Sequence, residues 1–272
     1  MLRRILSQTE GRVGFALLAI LILAALIAPI VFPGDPLAIA GRPMMRPFSD
    51  AALPLGTDRL GRDLLAEIFY GARTSLVVGL AAAIAAILIG MVVGTIAGFA
   101  RGLVDEALMR VVDAFQIVPG FLLALAFVSA FGPSLSGIII AIALGAWTGP
   151  ARLARAQVLR LREAEFVAAD RVLGMGPFEI AFRRILPLAI GPVLAMASII
   201  VAGAILTESA LSFLGLGDPN SVTWGGMIAE GRNQLRSAPW LSIIPGVALV
   251  LTVVAVHLSG EALATALAEG KR

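Results

Sequence analysis

The stretch EFVAADRVLGMGPFEIAFRRILP, from Glu165 to Pro187, gathers charged residues between two long apolar runs. The chain of 272 residues as a whole is 59% hydrophobic and only 14% charged. Within the stretch, Gly174 stands where a helix commonly ends, and Pro177 suits the first position of a new helix. We therefore expect a short helix, a sharp turn and a second short helix that Pro187 ends.

The second predicted helix is amphipathic. Its apolar residues repeat with helical spacing, an acid lies in its first turn, and two arginines lie in its last turn, which complements the helix dipole. Helices this short are not stable alone and need a surface to dock on. Two docking surfaces are possible: the inner leaflet of the membrane, or a soluble partner protein that binds the loop.

The apolar runs on either side predict the fold class. Helices of about 20 apolar residues span a bilayer, and the sequence offers six candidates. A cleaved signal peptide is the alternative for the first run, but the run is long for that purpose and Pro29 sits awkwardly for cleavage. The sequence thus predicts an all-α, polytopic membrane protein with six transmembrane helices. The candidate spans are Val13–Phe32, Ser75–Phe99, Glu106–Phe131, Leu135–Gly149, Leu188–Leu214 and Trp240–Leu258.

Basic residues predict the orientation. Fourteen of the 21 basic residues fall in segments that are cytoplasmic if the N-terminus is inside. Both termini are then cytoplasmic. The predicted division is a cytoplasmic N-terminus (1–12), an anchor helix (13–32), an extracytoplasmic loop (33–74), a helical core (75–267) and a cytoplasmic tail (268–272). The core includes a cytoplasmic loop at about 152–187 and an extracytoplasmic loop at about 215–239.

Two patterns describe packing. Residues 53–75 place apolar side chains on one helical face, which predicts an amphipathic helix on the outer membrane interface. The second span carries small residues four apart, a stripe that lets another helix backbone approach closely. These residues are Ala82, Ala86, Gly90, Gly94 and Gly98.

Composition excludes several kinds of chemistry. The chain has no cysteine, one histidine (His257) and one lysine (Lys271), so thiol chemistry, a His-rich metal site and an internal phosphate-loop lysine are excluded. If the chain serves active transport, another chain hydrolyses ATP or an ion gradient supplies the energy. Its basic residues fit cytoplasmic membrane loops, and we expect no nucleic-acid partner.

Three motifs resemble one family. The stretch 165–187 resembles the coupling loop of ABC-transporter permeases, with Gly174 as the motif glycine and Ile185-Leu186-Pro187 as its end, although Ala168 stands where glutamate is usual. LGTDRLGRDLLAEIFYGARTSL (55–76) and ESALSFLGLGDPNSVTWGGMIAEGR (208–232) resemble signatures of dipeptide, oligopeptide and nickel permeases, specifically of the subunit with the short N-terminal extension. In the first of these, Glu67 replaces a common arginine.

The resemblance implies an importer subunit in the inner membrane of a bacterium. Its partners would be a homologous second permease, two cytoplasmic ATPases that bind ATP and magnesium, an extracytoplasmic binding protein and membrane lipid. This chain itself would hold no cofactor or metal and would not be an enzyme. Di- or oligopeptides are the expected substrates, and nickel or a nickel chelate is the alternative.

The predicted site residues fall into three groups. Glu208 and Ser212 are candidates for the translocation pathway. Asp58, Arg62, Asp63 and Trp224 are candidates for docking the binding protein. The ATPase-coupling residues are Glu165, Phe166, Ala168, Ala169, Asp170, Gly174, Met175, Phe178, Arg183 and Pro187.

Other polar residues in the spans receive structural interpretations. Arg110 and Asp113 are three apart on a helix and are predicted to pair. His257 is interpreted as a packing residue, and Trp224 and Trp240 as interfacial anchors.

Two other classes of function remain as alternatives. A carrier driven by an ion gradient would use Glu208 or His257 as its proton site. An intramembrane enzyme would need a nucleophile–base pair or a metal site, and a chain with one histidine, no cysteine and scattered carboxylates makes that improbable.

Overall fold

The computed structural model describes residues 9–269, with side chains described as far as residue 266. The predicted N-terminal segment 1–12 and tail 268–272 therefore lie largely outside the described residues. Between residues 9 and 269 the chain is helical, with isolated β-bridges in the first loop. The helices are α1 (Thr9–Val31), α2 (Leu64–Ala100), α3 (Gly102–Ile117), α4 (Gly120–Phe131), α5 (Leu135–Ala146), α6 (Thr148–Leu161), α7 (Glu165–Val172), α8 (Pro177–Ala195), α9 (Ala197–Phe213), α10 (Trp224–Gly231) and α11 (Trp240–Glu269).

Three of these helices are long and apolar enough to cross a membrane alone, namely α1, α2 and α11. Three more crossings follow if each bent pair is one span. The pairs are α3 with α4, bent by 82°, α5 with α6, bent by 44°, and α8 with α9, bent by 54°. The all-α prediction is confirmed, and the described residues offer up to six spans.

The third and fifth predicted spans are not continuous helices. The third breaks where Val118 is extended and Pro119 opens α4, because proline disfavours helix in the residue before it. The fifth breaks at Met196, four residues after Pro192, whose ring nitrogen has no hydrogen to donate to the helix.

The predicted interfacial helix at 53–75 is corrected. Residues up to 63 form turns, and the helix that begins at Leu64 continues without interruption into the second span. Asp63 caps it, since its carboxylate accepts from the Leu65 amide at 2.9 Å. The apolar face that suggested a surface helix is buried at Leu64 and Ala72 within the protein.

The small-residue stripe of α2 is the seam against α6. A methyl group at Gly90 would lie 2.7 Å from the Trp147 carbonyl oxygen, and one at Gly98 would lie 2.9 Å from that of Arg155. Ala82 and Ala86 on the same stripe are fully buried. The predicted packing role is confirmed, because larger side chains would separate the two helices.

Pro187 does not end the second helix of the opening stretch. Helix α8 widens into π-helical turns over Ile180–Ile185 and then continues as α-helix, with the Leu186 amide bonded to the Ala181 carbonyl. A proline within an ordinary α-helix collides with the carbonyl four residues earlier. The widened turns come directly before Pro187. The helix therefore accommodates the proline and continues beyond it.

Candidate coupling surface and outer cavity

The turn between α7 and α8 has the geometry that the glycine predicted. Gly174 has φ of +81°, a conformation that side-chain-bearing residues rarely adopt. The Met175 amide donates to the Asp170 carbonyl and the Gly174 amide to that of Arg171, which closes α7 in a Schellman motif. Pro177 then opens α8, with Gly176 as the preceding cap. Both predicted turn residues are confirmed in their structural role.

Asp170 and Arg184 clamp the two short helices together. The Arg184 guanidinium donates from Nε and Nη2 to the two Asp170 oxygens at 3.0 and 2.9 Å. The Asp170 residue is 3% exposed. These hydrogen bonds hold the pKa of the Asp170 carboxyl below its usual range. The planar fork of arginine fixes both distance and angle between α7 and α8.

Large, exposed apolar side chains surround the turn. Val172 is 88%, Leu173 78% and Phe178 74% exposed, and the Phe178 ring stacks on Phe182 with centroids 4.5 Å apart. Neighbouring exposed apolar side chains are characteristic of interaction surfaces. We name these three residues with Gly174 the apolar turn.

The apolar turn stands on a buried base. Val167 of α7 and Ile180 and Ile185 of α8 are almost fully buried against Ala154 and Val158 of α6. The base therefore attaches the turn to α6, which itself packs on the long helix α2 along its glycine seam.

The other predicted coupling residues divide by exposure. Glu165, Ala168, Ala169 and Arg183 are exposed, whereas Phe166 and Met175 are partly buried and pack on the base. Pro187 is exposed on α8. Sequence reasoning placed Asp170 among the contact residues, but its side chain faces Arg184. Arg184 was missed as a functional residue, since a lone arginine fourteen positions away gives no periodic signal.

Two ion pairs that the sequence did not predict join α3 and α6. Arg155 donates to both oxygens of Asp105 at 2.6 and 2.7 Å, and Arg152 to Asp113 at 2.6 Å. The predicted pairing of Asp113 with Arg110 is therefore wrong, because α6 crosses near Asp113 and presents a better-placed guanidinium. The His257 side chain is 60% exposed in this chain, and its Nε2 lies 3.8 Å from a Glu261 carboxylate oxygen.

At the opposite end of α2, the short helix α10 is held in place by Trp224. This side chain is fully buried, and its Nε1 donates to the Ile68 carbonyl at 3.1 Å. A methyl group at Gly71 would lie 2.8 Å from the indole, and one at Gly225 would lie 2.5 Å from the Ser209 backbone. Neither an interfacial position nor direct contact with a docked protein fits Trp224, so both predictions for it are corrected.

The two predicted pathway residues contact each other. Ser212 donates to Glu208 at 2.7 Å, and both residues are buried in α9. Ser209 lies 3.4 Å from the other Glu208 oxygen. Hydroxyl groups thus satisfy this intramembrane carboxyl, as its burial requires.

Of the predicted docking residues of the first loop, Arg62 lines a cavity of about 470 Å³. Arg62 and Glu67 line it together with residues of the α9–α10 loop and α10. Asp58 is 5% exposed and accepts from the Leu60 and Arg62 amides at 2.8 and 2.7 Å, so it shapes its own loop. Asp63 is occupied as the cap of α2.

Residues 86–272 match the model of the family described as binding-protein-dependent transport system inner membrane component. The bent membrane helices, the clamped turn and this match define the inner-membrane subunit of a transport system. The chain belongs to this family of inner-membrane components, and its spans place it in a membrane.

Relatives extend over nearly the whole chain. A protein of Brucella suis biovar 1 (strain 1330), named as a peptide transport system permease, is 38% identical over 96% of this chain and 88% of its own length. The di/tripeptide transport system permease protein DppC of Pseudomonas aeruginosa (strain UCBPP-PA14) is 36% identical, with coverage of 96% and 88%. The family resemblance drawn from the three sequence motifs is therefore confirmed.

A solved structure shares the fold. The inward-facing MetNI methionine ABC transporter aligns with a TM-score of 0.60 at 18% identity, over 74% of this chain and 96% of the other. The predicted ABC-importer-permease architecture is thereby confirmed.

Proposed function

We propose that this chain is the membrane subunit of an ATP-driven importer of short peptides, and that it couples to cytoplasmic ATPases through residues 165–187. It forms part of the translocation pathway with a homologous second permease, and an extracytoplasmic binding protein delivers the substrate. ATP and magnesium are bound by the ATPases. The membrane is the inner membrane of a bacterium, and both termini of the chain are cytoplasmic.

The observation that carries the proposal is the apolar turn. It exposes three large apolar side chains, yet the residues directly beneath them are clamped and buried. One exposed acid and two exposed arginines lie near the turn in the chain, namely Glu165, Arg171 and Arg183. An apolar centre with a charged rim suits a protein groove better than the hydrocarbon of a lipid leaflet.

A rigid connection leads from the turn into the membrane. Helix α8 continues from Pro177 to Ala195, so a displacement of the turn moves the membrane end of the same helix. The bend at Met196 then joins α8 to α9, which carries Glu208 and Ser212. ATPase closure would therefore reach the pathway through two consecutive helices joined at a 54° bend, a movement of the shear type between packed helices.

The substrate class rests on the relatives. The names of the Brucella and Pseudomonas proteins both specify peptides. Nickel transport and gradient-driven transport have no comparable observation in their favour. At the outer face, Arg62 and Asp63 stay candidates for docking the binding protein, whereas Asp58 and Trp224 support that face from beneath.

Two glycines of the turn permit a matched test. Gly174→Val forces a β-branched residue into φ of +81°, which costs about 1–3 kcal/mol and distorts the turn. Gly176→Val is the control, because Gly176 has φ of −69° and a methyl group there meets nothing within 4 Å. Each tagged variant is extracted gently from its membrane, and co-purifying subunits are identified by mass spectrometry.

We expect P-loop ATPases to co-purify with the wild type and with Gly176→Val, and to be lost from Gly174→Val. Insertion of all three chains into the membrane should be equal. Normal ATPase recovery with Gly174→Val contradicts the coupling role of the turn. A wild-type chain that brings no ATPase, even after cross-linking, contradicts the importer proposal as a whole.

A further inference from the structure

The outer cavity contains a buried carboxylate that the proposed function does not use. Glu67 lines the 470 Å³ cavity, and its side chain is only 4% exposed. Among the described residues its ionic partner is Arg62, whose Nη1 lies 3.7 Å from Oε1, beyond hydrogen-bond distance. A buried carboxylate without a hydrogen bond is costly, and a cationic donor would relieve that cost.

Arg62 cannot neutralise Glu67 by itself, because it is shared with a second buried carboxylate. Its Nε lies 3.8 Å from Asp58 Oδ2. That oxygen is buried and has no hydrogen-bond partner among the described residues. One guanidinium thus serves two carboxylates, and neither contact is a hydrogen bond. Glu230, on the cavity wall, adds a third acid.

The wall of the same cavity also carries arginines. Arg59 and Arg232 both line it and are exposed, and neither lies within 4 Å of a carboxylate among the described residues. Arg232 instead covers the Phe213 ring at 5.4 Å. The cavity is a half-open cleft with a buried carboxylate and exposed guanidiniums on its walls, a pattern that complements a molecule with both an ammonium and a carboxylate.

The cavity volume fits a small molecule. A volume of about 470 Å³ lies within the range of small-molecule sites, roughly 300–1,000 Å³. It is far larger than a bare metal ion needs, and a folded protein would dock on a broader and flatter surface. A peptide of two or three residues has the right size and both charged groups.

We propose that this cavity binds the α-ammonium group of a short peptide through Glu67, with the peptide carboxylate toward Arg59 and Arg232. The inference rests on the proposed function for its choice of ligand. Every unmodified peptide carries an α-ammonium and a terminal carboxylate. The site would therefore select for free termini and would not distinguish peptides by their side chains. Glu67 then acts as a specificity-determining residue in the membrane subunit itself.

The test measures binding without ATP or binding protein. The full chain, with whatever subunits co-purify, is placed in lipid nanodiscs and titrated calorimetrically with trialanine, N-acetyl-trialanine and trialaninamide. The wild type should bind trialanine about tenfold more tightly than either blocked peptide, as expected for the loss of one charge-assisted hydrogen bond. Glu67→Gln should bind trialanine and N-acetyl-trialanine equally, and Arg232→Gln should lose discrimination against trialaninamide.

Asp50→Asn is the control, because Asp50 lies in the same loop outside the cavity and bonds the Ala52 amide. It should retain wild-type discrimination. Unchanged affinity of Glu67→Gln for N-acetyl-trialanine shows that the cavity is intact, and Glu67→Asp should partly restore discrimination. Equal wild-type affinity for all three peptides, no binding, or discrimination that survives in Glu67→Gln overturns the proposal. These outcomes leave ATPase co-purification unaffected, so the two proposals fail separately.

Discussion

The apolar turn and the layer around α10 use the same residue types in opposite ways. We call helix α10 and the residues packed with Trp224, namely Leu64, Ala72, Val222 and Leu241, the outer layer. The turn exposes Val172, Leu173 and Phe178 and is held by one ion pair between Asp170 and Arg184. The outer layer buries Trp224 completely and brings backbone to backbone at Gly225. Aromatic and glycine residues thus form an exposed apolar surface at one end and a tightly packed, buried layer at the other.

The comparison separates two roles of glycine. At one position glycine is needed for its backbone conformation, and at the other it is needed because a side chain would not fit. Gly174 has open surroundings and a positive φ, whereas Gly225 has a crowded environment and no positive φ. Substitution at the turn should therefore disturb partner binding, and substitution in the outer layer should disturb folding.

The largest expected effect is the loss of Trp224. Trp224→Ala removes a fully buried ring and should lower the free energy of unfolding by about 3–5 kcal/mol. Trp224→Phe is the control, because it keeps most of the packing and loses the 3.1 Å hydrogen bond to Ile68; it should cost about 1 kcal/mol. Thermal unfolding in detergent measures both. Equal unfolding temperatures for the wild type and Trp224→Ala would contradict the view that the outer layer, unlike the apolar turn, supports folding.

A smaller effect on stability, with a large effect on assembly, is expected for Phe178→Ala. The side chain is 74% exposed, so the free energy of unfolding should change by less than about 0.5 kcal/mol. The same change removes an aromatic anchor from the apolar turn and should weaken ATPase binding by on the order of tenfold or more. Thermal unfolding and ATPase co-purification, measured on the same sample, separate the two effects.

Phe182→Ala is the matched variant, because Phe182 stacks on Phe178 but is less exposed. It should affect stability more and ATPase binding less. A Phe178→Ala chain that unfolds early yet retains its ATPases would show that the turn is a structural element and not a docking surface.

The sequence predicted most of what depends on local pattern. Apolar runs predicted the membrane helices, the four-residue spacing predicted the seam at Gly90 and Gly98, and the Gly-Met-Gly-Pro break predicted the turn at Gly174. Each of these signals lies within a few residues along the chain, so no knowledge of neighbouring helices is needed.

What the sequence did not predict depends on which helices meet. Asp113 pairs with Arg152 from another helix, although Arg110 is nearer in sequence. The extension of α2 back to Leu64 depends on burial against the outer layer, which an amphipathic pattern cannot distinguish from burial in a membrane interface. The π-helical turns before Pro187 likewise have no periodic signature.

The smallest expected effect concerns pH. Arg184 lowers the pKa of Asp170, so the clamp stabilises the turn above the usual aspartate pKa and is lost only as the pH falls through the lowered value. Between about pH 5 and pH 8 the carboxylate stays ionised, and ATPase binding should not vary through this pair. Asp170→Asn should weaken binding at every pH in this range without changing the slope. Glu179→Gln is the control, because the Glu179 carboxylate pairs with Arg183 on α8 and does not contact Asp170. A midpoint near pH 6 that Asp170→Asn abolishes would contradict an ionised clamp.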